Sequence, residues 1–268
     1  MEEDFLSELK SLVSAMLANL TPHRVPVSKE TWRLLLPLVL AASVLFVLFL
    51  LVAKIVTHIQ RKRHTRELLE QFGMLLSEAD AALGSPPFVG QCVSLGEEID
   101  THTNRRENSK LVAMLSYRVA VRTKMTPEQA ALCFCCALVA DAGMLDLPRQ
   151  LFFREILTGR ERKLLRDQCR AFIYQLDFVP SGYLQFFVET CSCRKENMDG
   201  SGYPEGLKGG DIPVLARIVR AAEDYTAMTE RKARKYLVPL SSRAAVREMR
   251  KSAELYDQRI VNIIEKLV

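Results

Sequence analysis

The chain has 268 residues, 49% apolar and 26% charged, a balance that excludes an intrinsically disordered protein. Its net charge of +5 is small and gathered into two clusters, Arg61–Lys62–Arg63 with Arg66 and Arg231–Lys232 with Arg234–Lys235; neither interleaves aromatic residues, so nucleic acid is not an expected partner. The seven cysteines, an odd number set in apolar stretches, exclude a disulfide framework and point to a reducing compartment.

In chain order, Phe5, Leu6, Leu9, Leu12, Val13, Met16, Leu17 and Leu20 share one helical face that Thr21-Pro22 ends, which predicts an amphipathic helix. Such a helix lies on a membrane–water interface or packs in a dimer. Leu34 to Ala53 then runs 20 residues without a charge. At ~1.5 Å per residue that spans about 30 Å, the hydrocarbon thickness of a bilayer. Trp32 stands at one edge, and Lys54, Arg61, Lys62, Arg63 and Arg66 follow the run, so a single-pass anchor with its C-terminal side in the cytoplasm is expected. Next, His64 to Leu83 reads as a juxtamembrane helix with a stripe of Leu68, Leu69, Phe72, Leu75 and Leu76, too short to define a coiled coil. Gly84-Ser85-Pro86-Pro87 breaks it and is the expected domain boundary.

From about Cys92 onward helical periodicity dominates and no alternating strand pattern emerges. Leu111, Val112, Met114, Leu115 and Val119 form one helical face. Thr126-Pro127-Glu128-Gln129 is a capping box that opens a helix through Ala130 to Val139. Thr158 with Glu161 is a second box, opening a helix expected to reach about Gln175. Ser181 starts another that leads to Arg194, and Ser241 caps a later one. Cys133, Cys135, Cys136, Cys191 and Cys193 lack C-x-x-C spacing and are expected to pack as small apolar residues rather than to bind zinc. The fold class expected is all-α: a single-pass transmembrane helix followed by a cytoplasmic helical bundle. The organisation is a short extracytoplasmic segment (1–33), the membrane helix (34–53), a juxtamembrane helix and linker (54–87) and a bundle (88–268).

The most specific signal is the run Arg194-Lys-Glu-Asn-Met-Asp-Gly-Ser-Gly-Tyr-Pro204, continued by Glu205-Gly-Leu-Lys208, Asp211-Ile-Pro213 and Ala216-Arg-Ile218, with Glu223-Asp-Tyr-Thr-Ala-Met-Thr229 and Tyr256-Asp257 further on. It resembles the signature of HD-GYP proteins, metal-dependent phosphodiesterases of cyclic di-GMP, over roughly Cys92 to Val268. The resemblance implies a helical domain in which a metal-bound hydroxide attacks phosphorus. It also implies a set of metal ligands, from which this sequence departs. The two histidines that open the family's run are Arg194 and Lys195 here. The family's His-Asp pair aligns with Ala140-Asp141, and a lysine that helps hold substrate aligns with Met144. Two further histidines align with Asn108 and Gln168, and the last aspartate ligand aligns with Glu223. Only Asp141 and Glu223 keep a carboxylate, as vestiges of a catalytic site; no catalytic residue, metal or other cofactor is expected.

Two cations beside two carboxylates suggest a replacement: Arg194 or Lys195 forms an ion pair with Asp141 or Glu223 where the metal would lie, against the alternative of a solvated basic helix end. In the family a basic segment reaches substrate phosphate; its counterparts are Arg231, Arg234 and Lys235, which imply cyclic di-GMP binding or else form a basic patch near anionic lipid. The loop Gly202-Tyr203-Pro204 corresponds to one implicated in contacts with diguanylate cyclase domains, and is otherwise a tight turn. The function expected is therefore a catalytically inactive signalling protein of the bacterial inner membrane, acting by partner-protein or cyclic dinucleotide binding, with a homodimer conceivable. The alternatives are an active cyclic di-GMP phosphodiesterase with a non-standard metal site, and a structural membrane-assembly protein.

Overall fold

The structure, a computed structural model, describes residues 29–154, 156–168, 172–230 and 239–268. The amphipathic helix expected before Thr21, Cys169, and the basic positions Arg231, Arg234 and Lys235 lie outside the described residues. Every regular element among the described residues is helical, and none is a strand. The chain divides into two compact units, 1–67 and 68–268.

Helix α1 (Lys29–Ala82) supplies residues to both units. In the first unit its apolar run is Ala41–Val56, and every side chain from Val44 to Val52 is exposed. Pro37 sits inside this helix, just over two turns from its start at Lys29. Among the described residues the run Ala41–Val56 is shorter than a membrane span; the stretch long and apolar enough to cross one is Pro127–Asp146, with a mean hydropathy of 1.4, but 72% of it is buried in the second unit, as befits a core helix.

The second unit begins at Leu68, not after the break at Gly84–Pro87. The reason is packing. Phe72 and Ala79 are buried, Leu75 and Leu76 lie partly buried against them, and the Phe72 ring stacks on Phe134 at 5.6 Å between centroids. Phe72, Leu75 and Leu76 of the stripe thus face the bundle, and Leu69 is left exposed. The remaining helices are α2 (Pro87–His102), α3 (Asn108–Arg122), α4 (Pro127–Val139), α5 (Gly159–Asp167), α6 (Ser181–Cys193), α7 (Val214–Thr229), α8 (Ser242–Lys251) and α9 (Gln258–Leu267).

Helix α4 is the axis of the bundle. Its capping box is complete, with Thr126 Oγ1 accepting from Gln129 N and Gln129 Oε1 accepting from Thr126 N. All residues from Ala130 to Val139 are buried, and α2, α3 and α6 pack around them. A helix apolar on every side belongs in a core. The cysteines join this packing: Cys92, Cys133, Cys135, Cys136 and Cys191 are buried free thiols. Burial pushes the Cys191 thiol up to about 12, so it stays neutral.

Helix α5 corrects an expectation. Its capping box forms as read, but the helix ends at Asp167 rather than near Gln175. The following residues bury Phe172 and Leu176 and close a 3-10 turn at Ile173–Leu176, which a straight continuation of α5 would not allow.

Candidate functional site

Three segments meet at the end of α4. Asp141 follows α4 and precedes a 3-10 turn, Ala142–Asp146. Arg194 and Lys195 follow α6, and Glu223 lies in α7. Arg105 arrives from the α2–α3 connection.

The geometry is that of a closed charge network. Arg194 Nη2 donates to Asp141 Oδ1 at 2.6 Å and Arg194 Nε to Glu223 Oε1 at 3.0 Å, so one guanidinium bridges both carboxylates. Its Nη1 donates to the Cys191 carbonyl at 2.6 Å. Arg105 Nη2 takes the other oxygen of Asp141 at 2.6 Å and is steadied by Nε donating to Thr103 Oγ1 at 2.9 Å. Lys195 Nζ takes the other oxygen of Glu223 at 2.5 Å. The Arg194 side chain is 1% exposed, and the largest fully buried side chain of the described residues is this arginine.

Electrostatics follow from that arrangement. Burial alone would push the Asp141 carboxyl up, but Arg105, Arg194 and Lys195 outweigh it and hold Asp141 well below the usual carboxylate range. Burial likewise works against charge on Lys195, and the carboxylates of Glu223 and Asp141 together offset it, so its ammonium is favoured. A buried charge is tolerable only when paired and hydrogen-bonded, and each of these is.

The divalent ions that the resemblance implies do not fit this donor set. Each carboxylate oxygen of Asp141 and Glu223 already accepts from a cation. The positions expected to offer imidazole carry Asn108, Ala140, Gln168, Arg194 and Lys195. No group of three or more His, Cys, Asp or Glu side chains able to hold a metal occurs among the described residues. Gln168 lies close by: its carbonyl oxygen would be 2.4 Å from a Cβ on Gly143, so only glycine lets the chain after α5 rest against the 3-10 turn. Its buried Oε1 finds no hydrogen-bond partner among the described residues.

The Gly202-Tyr203-Pro204 loop leaves the site directly. Glu196, 2% exposed, organises it by accepting from the backbone N–H groups of Glu205, Gly206 and Leu207 at 2.7, 3.1 and 3.1 Å. A Cβ on Gly202 would fall 2.3 Å from Asn197 N and 2.4 Å from Glu196 Cα, so the loop folds back onto its own start. The Tyr203–Pro204 bond is cis. Tyr203 is half-buried, with the Arg166 guanidinium 4.7 Å from its ring centroid.

The structure therefore brings Asp141, Arg194, Lys195 and Glu223 together, and it adds Arg105 and Glu196, which are not among the residues expected from sequence. Glu196 had a signal, since it lies inside the specific run. For Arg105 the sequence offers only its place three residues before Asn108.

A family model described as an HD domain matches residues 94–260. A cyclic di-GMP phosphodiesterase of Thermotoga maritima is 31% identical over 175 residues, covering 65% of this chain and 46% of that protein. A probable cyclic di-GMP phosphodiesterase of Vibrio cholerae is 29% identical over 214 residues, covering 73% of this chain and 48% of that protein. The chain thus spans about half the length of these curated relatives. Among solved structures, a cyclic GMP-AMP-specific phosphodiesterase of Vibrio cholerae superposes with a TM-score of 0.51 at 17% identity, over 66% of this chain and 47% of that one, which shows a shared fold. The chain belongs to the HD domain family and, within it, is an HD-GYP-like phosphodiesterase-family protein.

Proposed function

We propose that this chain is a membrane-anchored HD-GYP-like signalling protein that binds without hydrolysing. The observation that carries the reading is the buried Arg194 guanidinium bridging Asp141 and Glu223. A divalent ion at that position would have to displace three hydrogen-bonded cations. Removing one partner from such a buried set leaves an uncompensated charge, at a cost of about 3–5 kcal/mol. Two carboxylates without imidazole give little affinity in return. On this reading the charge network is structural, and the surface around it supplies the function.

Two surfaces are candidates for the binding partner. The Gly202-Tyr203-Pro204 loop is fastened by Glu196, which favours a protein contact such as a diguanylate cyclase domain, since little conformational freedom would be lost on docking. Arg231, Arg234 and Lys235 would serve a cyclic dinucleotide by their phosphate-binding chemistry. Anchoring is supported by the exposed apolar side chains from Val44 to Val52 and by the cations that follow them, which favour a cytoplasmic bundle at the inner membrane.

The test uses the purified full chain in detergent. It is expected to contain no stoichiometric iron or manganese and to leave cyclic di-GMP intact. Stoichiometric metal together with turnover overturns the reading. Calorimetry with cyclic di-GMP then separates the two surfaces: heat that disappears in an Arg231→Ala/Arg234→Ala variant assigns a nucleotide sensor, and no heat assigns a protein-binding module.

A further inference from the structure

Between α4 and α6 the described residues leave several large apolar side chains in solvent. Phe153 is 58% exposed, Ile156 85% and Tyr174 60%, with Leu164 and Ile173 also exposed. Helix α5, in the middle of this stretch, contributes no buried residue at all. A helix of nine residues is marginal in water, and its capping box is the chief local support this one has. An amphipathic helix without a packed face is an element waiting for a surface.

Charge says which surface. Arg149 to Asp167 holds six Arg or Lys residues against three Asp or Glu. Arg154 is paired with Glu161, and Arg166 lies over Tyr203. Arg160 and Lys163 are exposed, with no ion pair among the described residues. Exposed aromatic and aliphatic side chains flanked by unpaired cations are what an interfacial helix uses on anionic lipid: the apolar groups enter the headgroup boundary and the cations meet phosphate. The apolar residues are spread over a 3-10 turn at Arg149–Phe153, the connection at Ile156, α5 and the turn at Ile173–Leu176, rather than forming one groove. A broad, compliant partner suits that layout better than a peptide does.

We propose that this basic and apolar face, centred on α5, docks on an anionic bilayer surface. The proposal rests on the anchoring part of the function proposed above, because the membrane that α1 would cross is the surface within reach. The face would then hold the bundle against the leaflet and fix which side of it, including the Tyr203 loop beside Arg166, a partner can approach.

The experiment reconstitutes the full chain into lipid nanodiscs and follows backbone hydrogen exchange across residues 149–168 and 172–176. Discs of phosphatidylcholine alone are compared with discs that also contain phosphatidylglycerol. Exchange in these residues is expected to slow several-fold with phosphatidylglycerol, to return to the phosphatidylcholine rate at high salt, and to do so also in an Arg160→Glu/Lys163→Glu variant, while exchange in α4 is unchanged. Equal exchange in both kinds of disc overturns the proposal. Slowing in both that grows with protein concentration also overturns it and assigns the face to a second copy of the chain. If the chain does not enter discs, the anchoring reading fails by itself. Flotation with phosphatidylglycerol vesicles then decides the docking: binding that the double variant abolishes supports it, and absence of binding overturns it.

Discussion

Arg194 is the residue on which the site turns, because its one buried side chain satisfies two half-buried carboxylates and a carbonyl. Arg194→Met keeps volume but leaves Asp141 and Glu223 facing each other with one cation each, so the unfolding free energy is expected to fall by about 3–5 kcal/mol in urea titration. Arg194→Met combined with Asp141→Asn and Glu223→Gln is expected to recover most of that loss, which independent contributions would not do. Acid provides a second check. Asp141 has its folded pKa depressed, so its contribution is fully present above its unfolded value of about 3.9 and is lost as the pH falls toward the lower folded value. Burial raises the pKa of Asp100 despite the Ser109 hydrogen bonds, so Asp100 works in the opposite direction and a single stability curve mixes the two. The informative quantity is a difference: between pH 6 and pH 3 the Asp141→Asn protein should lose less stability than the parent. Two cations standing next to the expected carboxylates were legible from residue identity alone. Arg105 was not, since its bond to Asp141 spans 36 positions and no local pattern marks it.

At the scale of elements, local chemistry fixed where helices start and tertiary packing fixed where they stop. Thr126, Thr158 and Ser241 each cap the helix their spacing announces. The end of α5 was not legible, because it depends on Phe172 and Leu176 finding the core rather than on any stop signal at Gln168. The two capping boxes should consequently respond differently to the same substitution. Thr126→Ala removes a cap from a helix buried along its length, and is expected to lower global stability by about 1 kcal/mol with a matching shift in the urea midpoint. Thr158→Ala removes one from a helix that buries nothing, so it should speed hydrogen exchange within α5 and leave the global midpoint where it was.

For the whole molecule the question is where the folded unit begins. Gly84-Ser85-Pro86-Pro87 looks like a linker, and Gly84 and Ser85 do take positive φ, yet the turn they form lies within the unit and the core continues upstream of it. Composition marks the turn plainly, whereas the burial of Phe72 and Ala79 depends on Phe134 and on residues from α3, far away in sequence. Lys110 Nζ lies 5.4 Å from the Phe72 ring centroid and Arg118 Nη2 donates to Gln71 Oε1 at 3.0 Å, so both polar and apolar contacts fasten this stretch of α1 to α3. Phe72→Ala should therefore cost about 3–5 kcal/mol, the penalty of an emptied aromatic site in a core. Met74→Ala, at a position 61% exposed, should fall within about 0.5 kcal/mol of the parent. Truncation sharpens the contrast: a fragment starting at Leu68 is expected to unfold cooperatively, and one starting at Phe88 to lose the Phe72–Phe134 stack and unfold at markedly lower urea. Equal midpoints for the two fragments would return the boundary to the proline pair and make the end of α1 a separate helix. The unequal result would make it part of the bundle, packed against the helix that leads to Asp141.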